Sequence, residues 1–218
     1  MAHTIVHDVS ATYARALLDR HDEPVLTEME AYAAAEGFPI VNRHVGVTLE
    51  ILGRALGARR VVELGSGFGY SAYWWARAVG PDGEIHATDG SPANAKRAQD
   101  YLVRAGVWDR IRWHTGDAVG TLASLDGEFD VVYNDIDKDG YPDAWRAARE
   151  RVRIGGLYVC DNVLWSGLAA EDPPLDDERP NGWTEAIKEH NRLVADDERF
   201  LSSVLPIRDG VIVALRLA

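Results

Sequence analysis

The chain has 218 residues, of which 46% are hydrophobic, and a formal net charge of −12. That length can bury one sizeable core, which predicts a single domain. The acidic balance argues against a nonspecific nucleic-acid or anionic-membrane binder. No apolar run reaches the length of about 18 residues that a membrane span needs, and the start lacks the pattern of a signal peptide. The single cysteine, Cys160, lies in the apolar run "GLYVCDN" and reads as a small core residue, not a nucleophile. A chain with no internal disulfide fits a reducing cytoplasm.

The first part of the chain, 1–57, reads as helices. "SATYARALLDRH" has apolar residues at helical spacing after Ser10, a candidate N-cap. "EPVLTEMEAYAAAEG" opens with Pro24 in the first turn and stops at Gly37. "VGVTLEILGRALG" repeats the helical pattern and ends at Gly57. From 58 to 218 strands and helices alternate. The strands are "RVVEL", "EIHAT", "IRWHT", "FDVVYN" and "GLYVC"; the helices between them include "YSAYWWARAVG", "SPANAKRAQDYLVRAG" and "PDAWRAARERV". In the second of these, Ser91 is the predicted N-cap and Gly106 the terminator. The acidic, proline-containing segment 171–178 reads as a solvated loop, with a lid role open to it because it lies close to the site described below. After it come the helical "TEAIKEHNRLVADD" and two closing strands, "FLSSVLPI" and "GVIVALRL", joined by a turn at Arg208-Asp209-Gly210. The alternation predicts an α/β fold with a seven-stranded, mostly parallel, doubly wound sheet. The closing hairpin makes its last strand antiparallel to its neighbour.

"VVELGSGFGYS" puts Gly65, Gly67 and Gly69 at the carboxyl end of the first strand, where open α/β sheets bind ligands. The dinucleotide fingerprint G-x-G-x-x-G fails, because Tyr70 stands where its last glycine belongs. A nicotinamide oxidoreductase is therefore the least favoured reading. Glu63, just before the glycines, would repel a pyrophosphate but suits a ligand with an ammonium group. S-adenosylmethionine (SAM) has one, together with a carboxylate for the helix N-terminus and Ser71. Asp89 ends the second strand, where an acid can accept from ribose hydroxyls, and Asp117 in "TGDA" follows the third and could face the adenine amino group. Acids at three successive strand ends, with glycines at the first, point to a SAM site.

From about Gly46 to the C-terminus the chain resembles the cation-dependent SAM O-methyltransferases of the caffeoyl-CoA and catechol type. The resemblance rests on "VVELGSGFGYS", "TGDA", "DIDKDGY", "DNVLWSG", "HNRLVADDERF" and "LPIRDGV", in that order. It implies a Rossmann-like class I methyltransferase fold with extra N-terminal helices, and a homodimer. It implies cofactor contacts at Glu63, Gly65, Ser66, Gly67, Ser71, Asp89, Asp117, Ala118 and Asp135. It makes Asp135, Asp161 and Asn162 ligands of a divalent cation, Lys138 the general base, and Trp165 a flank of the methyl acceptor. Three departures stand out: Gly67 where a bulky residue or threonine is usual, Asn134 before the metal aspartate where an apolar residue is common, and "NRH" at 42–44 in the segment that helps cover the site.

An all-oxygen ligand set favours Mg²⁺, with Ca²⁺ or Mn²⁺ as alternatives. The reaction implied is methyl transfer to a hydroxyl of a small phenolic or catechol-like acceptor, with Lys138 removing the proton. Two other readings remain open: methylation of a hydroxylated tRNA nucleoside, which the net charge and the absence of a basic aromatic strip disfavour, and a non-catalytic SAM-binding module.

Overall fold

The computed structural model describes residues 8–18, 23–171 and 182–218. The acidic segment expected to be a loop therefore lies, from residue 172 on, outside the described residues.

Three helices precede the sheet: α1 (Asp8–Ala16), α2 (Pro24–Glu36) and α3 (Arg43–Leu56). Ser10 lies inside α1 instead of capping it, since the helix already begins at Asp8. α2 and α3 stop as expected, with Gly37 and Gly57 in left-handed conformations. Asn42 caps α3 by accepting from the Val45 N–H at 3.0 Å.

The sheet is built from β1 (Arg60–Leu64), β2 (Glu84–Asp89), β3 (Ile111–Thr115), β4 (Phe129–Asn134), β5 (Val152–Cys160), β6 (Phe200–Leu205) and β7 (Val211–Arg216). Their order is β3-β2-β1-β4-β5-β7-β6. β1 to β5 pair in parallel, whereas β7 runs antiparallel to both β5 and β6. Five helices complete the core: α4 (Tyr70–Val79), α5 (Pro92–Arg104), α6 (Ala118–Ser124), α7 (Tyr141–Ala148) and α8 (Trp183–Ala195). The strand alternation divides the core in two. Val61, Val131 and Val159 face one cluster with the α2–α5 side chains; Val62, Val132 and Tyr158 face the other with α7 and α8.

Beyond the Ser10 cap, the structure departs from the sequence reading at two further elements. α6 was not legible, since seven residues including Gly120, Thr121 and Ser124 make a weak helix. It is held by its cap: Asp117 accepts from the Gly120 N–H, and the Thr121 hydroxyl donates to the Asp117 carbonyl at 2.7 Å. α7 ends at Ala148 and β5 begins at Val152, four residues ahead of the predicted strand. Arg153 on this stretch pairs with Asp130 at 2.5 Å, whose other oxygen accepts from the Arg59 and Arg60 N–H groups. One carboxylate thus ties the start of β5 to the starts of β1 and β4. Among the described residues no helix is long and apolar enough to cross a membrane.

Candidate active site

The strand order reverses between β1 and β4, which opens a crevice at the carboxyl ends of the strands. A cavity of about 790 Å³ lies there. Its walls include Gly65, Ser66, Gly67, Ser71, Asp89, Asp117, Ala118, Asp135, Lys138, Asn162 and Trp165, which are eleven of the thirteen residues predicted from sequence. The other two, Glu63 and Asp161, are fully buried next to it, Glu63 two residues before Gly65 and Asp161 beside Asn162.

On the β1–β3 side the glycine loop is clasped from the neighbouring strand. The Thr88 hydroxyl donates to the Glu63 carbonyl at 2.9 Å and accepts from the Gly65 N–H at 3.2 Å. The Ser66 N–H donates to the Thr88 carbonyl at 2.7 Å, and the Thr88 N–H donates back to the Ser66 hydroxyl at 3.1 Å. Gly65 has φ +84°, and a Cβ there would stand 2.5 Å from the Asp135 carbonyl oxygen, so β1 and β4 close up only over a glycine. Gly67 also has positive φ, with Phe38 packed over it. Asp89 is fixed by the Ser91 N–H at 2.8 Å and the Asn94 amide at 3.0 Å. Asp117 reaches the cavity wall but uses Oδ2 to cap α6.

Neither carboxylate oxygen of Glu63 has a donor in full hydrogen-bonding geometry, although the Ser66 and Ser71 hydroxyls lie close enough to favour its charged form. Burial pushes this carboxyl up to about 7; the nearby Ser66 and Ser71 hydroxyls oppose the shift, while Asp135 and Asp89 add to it. A buried acid without a well-formed hydrogen bond is costly, and a cationic group above it would remove that cost.

The β4–β5 side is built differently. Lys138 sits on a short 3₁₀ turn, Lys138–Gly140, and its Nζ donates to Asp135 Oδ1 at 3.0 Å and to the Ile136 carbonyl at 3.2 Å. Burial and the neighbouring Asp135 push Asp161 above the usual carboxylate range, with the Arg208 guanidinium opposing. Arg208 Nη1 donates to Asp161 Oδ2 at 2.9 Å, while Asp161 Oδ1 is buried without any partner. That orphaned oxygen, beside Asp135 and the amide of Asn162, is a donor set of hard oxygens that fits a divalent cation. Among the described residues no three His, Cys, Asp or Glu side chains group as a metal site, so the third donor would be the Asn162 amide. The Trp165 indole N–H donates to the Thr184 hydroxyl at 3.1 Å, and its ring lies 5.9 Å from that of Trp183 on the cavity wall.

Backbone strain collects at this end. Asn162, Trp165, Ser166 and Arg208 are the non-glycine residues with positive φ among those described, at +60°, +51°, +56° and +50°. Such conformations persist where surrounding structure over-determines them, as at binding sites. Here the loop after Asn162 is strapped to the β6–β7 turn. The Val163 N–H donates to the Gly210 carbonyl at 3.1 Å, the Leu164 N–H to the Asp209 carbonyl at 2.9 Å, and the Ser166 N–H to the Asp209 carboxylate. Gly210 permits that approach, since a Cβ there would collide with Leu164.

Asn134 finds its explanation behind the site. Its amide N–H donates to the Tyr158 hydroxyl at 3.2 Å, which bonds His190 Nε2 at 2.9 Å; His190 Nδ1 bonds Asn191 Oδ1 at 3.0 Å, and the Asn191 amide donates to the Val163 carbonyl at 2.7 Å. One assignment fits the whole chain of bonds: Tyr158 donates to Nε2, and Nδ1–H donates to Asn191. Burial lowers His190 to about 4, which keeps the imidazole in this neutral form. The buried circuit joins the residue before Asp135 to the residue after Asn162, and so ties together the strand ends that carry both.

The third departure, at 42–44, also has a place. Arg43 donates to Glu30 at 2.7 Å, and the same carboxylate accepts from the Tyr70 hydroxyl at 2.5 Å. Tyr70 lines the cavity, so this network anchors α2 and α3 to its rim, which Phe38 to Val41 complete. Sequence reasoning missed Thr88, Tyr70, Trp183 and Arg208. Trp183 had a signal, an aromatic at the start of a predicted helix; the other three act through partners remote in sequence.

The sequence profile of the O-methyltransferase family matches residues 19–217. The chain belongs to the O-methyltransferase family. Within that family it is 32% identical over 208 residues to caffeoyl-CoA O-methyltransferase 1 of Eucalyptus globulus, covering 91% of this chain and 84% of that one. It is 36% identical over 159 residues to a catechol O-methyltransferase of Mycobacterium tuberculosis, covering 71% and 72% respectively. Among solved structures, the O-methyltransferase TomG of Streptomyces achromogenes, involved in tomaymycin synthesis and in complex with SAM, superposes with a TM-score of 0.80. It shares 26% identity and covers 90% of this chain and 91% of its own. This O-methyltransferase therefore has the expected fold, with its predicted site residues gathered round one cleft.

Proposed function

We propose that this O-methyltransferase transfers the methyl group of SAM to a hydroxyl of a small phenolic or catechol-like acceptor, with a divalent cation held by Asp135, Asp161 and Asn162. The observation that carries this reading is a pair of buried carboxylates, Glu63 and Asp161, each with an oxygen lacking a well-formed hydrogen bond, beside one cavity. In a family member, those two oxygens are where a cationic methyl donor and a metal ion would be received.

Glu63 receives the ammonium group of the donor, and the Ser71 hydroxyl and α4 N-terminus face its carboxylate. Asp89 holds the ribose. Trp165 and Trp183 flank a flat acceptor. When bound, the cation would make the acceptor hydroxyl more acidic. Lys138 takes the hydroxyl proton as general base and passes it to solvent through the cleft. The rest is alignment of oxygen, methyl carbon and sulfur by a rigid site, which can supply much of the rate.

The test is a methyl-transfer screen with added Mg²⁺ across catechols, hydroxycinnamoyl thioesters, flavonoids and tRNA. Transfer to at least one small phenol, lost in excess chelator and restored by Mg²⁺, is expected. Activity that persists in chelator overturns the cation's role, and label in tRNA alone overturns the acceptor class.

A further inference from the structure

We propose that Arg208 is a built-in competitor at the cation site. Its guanidinium holds Asp161 Oδ2 and so opposes, at contact range, a divalent cation that binds through Asp161 Oδ1 together with Asp135 and Asn162. The proposal rests on reading those three residues as cation ligands.

The cluster is already neutralised by the chain itself. Lys138 pairs with Asp135 at 3.0 Å and Arg208 with Asp161 at 2.9 Å, so two carboxylates face two cations. The Asp161 side chain is 0% exposed and that of Arg208 30%, so the arginine reaches down from the cleft wall onto a carboxylate that solvent does not touch. The carboxylate has no other side-chain partner to release it, and its second oxygen is bare. Arg208 is also placed there at a cost, since its φ of +50° is a conformation that a glycine would adopt freely. The turn that carries it cannot relax away, because it is bonded to the loop behind Asn162 at Val163, Leu164 and Ser166. A divalent ion brought to Asp161 would meet a fixed like charge at contact range, in a place where water screens little. Removing the guanidinium would instead leave a buried, uncompensated carboxylate that binds a cation more strongly.

The opposite role is separable by sign. Were Arg208 a positioning residue that orients Asp161 for the metal, its loss would weaken metal binding by about 10- to 100-fold.

The experiment measures Mn²⁺ binding directly, by the electron-paramagnetic-resonance signal of the free ion, at pH 8 with neither SAM nor acceptor present. The full chain is compared with Arg208→Gln, Arg208→Lys and Asp135→Asn, and Asp135→Asn is also combined with Arg208→Gln. Arg208→Gln is expected to tighten Mn²⁺ binding by about tenfold or more, while Arg208→Lys stays near the parent. Asp135→Asn should weaken binding in both backgrounds. Damage to the turn would lower affinity, so a gain cannot come from partial unfolding. Parent-like or weaker binding by Arg208→Gln, with the parent still binding through Asp135, overturns the proposal alone. Absence of Asp135-dependent binding in every variant overturns the cation-ligand reading, and this proposal with it.

Discussion

The two halves of the cleft handle buried charge in opposite ways. On the β1–β3 side one acid, Glu63, lies buried with neither oxygen in a well-formed hydrogen bond, and the residues with positive φ are glycines. On the β4–β5 side the acids are paired internally, to Lys138 and Arg208, and the strained residues carry side chains. In the proposed reading the first half receives the cationic methyl donor. The second is neutralised by the chain's own Lys138 and Arg208, with Asp161 Oδ1 left bare. One half is thus a receptor and the other a self-paired charge cluster.

The largest expected effect falls on the charge cluster. Lys138→Ala should lower turnover by about 10²- to 10⁴-fold while leaving the dissociation constant for SAM close to the parent value. Single-turnover kinetics with a catechol, set beside SAM titration, measure both. Unchanged turnover would remove Lys138 as the base and make it only the counterion of Asp135.

Next comes the receptor half. Glu63→Gln should weaken SAM binding by about tenfold to a hundredfold, the loss of one charge-assisted contact. The same change should stabilise the ligand-free protein at pH 8. In the folded chain Glu63 is raised to about 7, whereas a glutamate in the unfolded chain titrates near 4.3. Its contribution to stability is therefore complete below about pH 4 and is lost as the pH rises through about 7. Glutamine cannot ionise, so the variant should gain on the order of 2–4 kcal/mol over the parent between pH 5 and pH 8. Urea unfolding at the two pH values checks this; a parallel pH dependence in the two proteins would mean that Glu63 is not the buried acid described.

The smallest expected effect tests the support behind the cluster. Asn134→Leu and His190→Phe should each destabilise by about 1–3 kcal/mol, because each leaves the Tyr158 hydroxyl short of a partner. The triple variant that adds Tyr158→Phe to both should cost clearly less than the sum of the three single changes, since it removes the hydroxyl together with its partners. Additive costs in denaturant titrations would show that the three residues act independently.

Much of the fold was legible because strand alternation and glycine or proline punctuation are local signals. The acids at strand ends could be found because α/β topology brings successive carboxyl ends to one crevice, so Glu63, Asp89 and Asp117 could be placed without coordinates. α6 escaped notice because its stability comes from a cap and from packing, not from its own seven residues. Arg208 escaped because its partner lies 47 positions away, and the pairing exists only because β7 inserts between β5 and β6. Asn134 looked anomalous as a single polar residue at the end of a buried strand. It becomes intelligible once α8 brings His190 and Asn191 behind it.

By itself the sequence determined the strands and most of the helices, the position of the cleft and eleven of the residues that line it. The elements and the cleft follow from periodicity and from chain connectivity, which act over short spans. The cation, base and acceptor positions follow from motifs shared with a family. Only the tertiary structure decided which charges are paired, which oxygens are left bare and which backbone is strained. Those depend on burial and on contacts between segments far apart in the chain, and such contacts leave no local pattern to read.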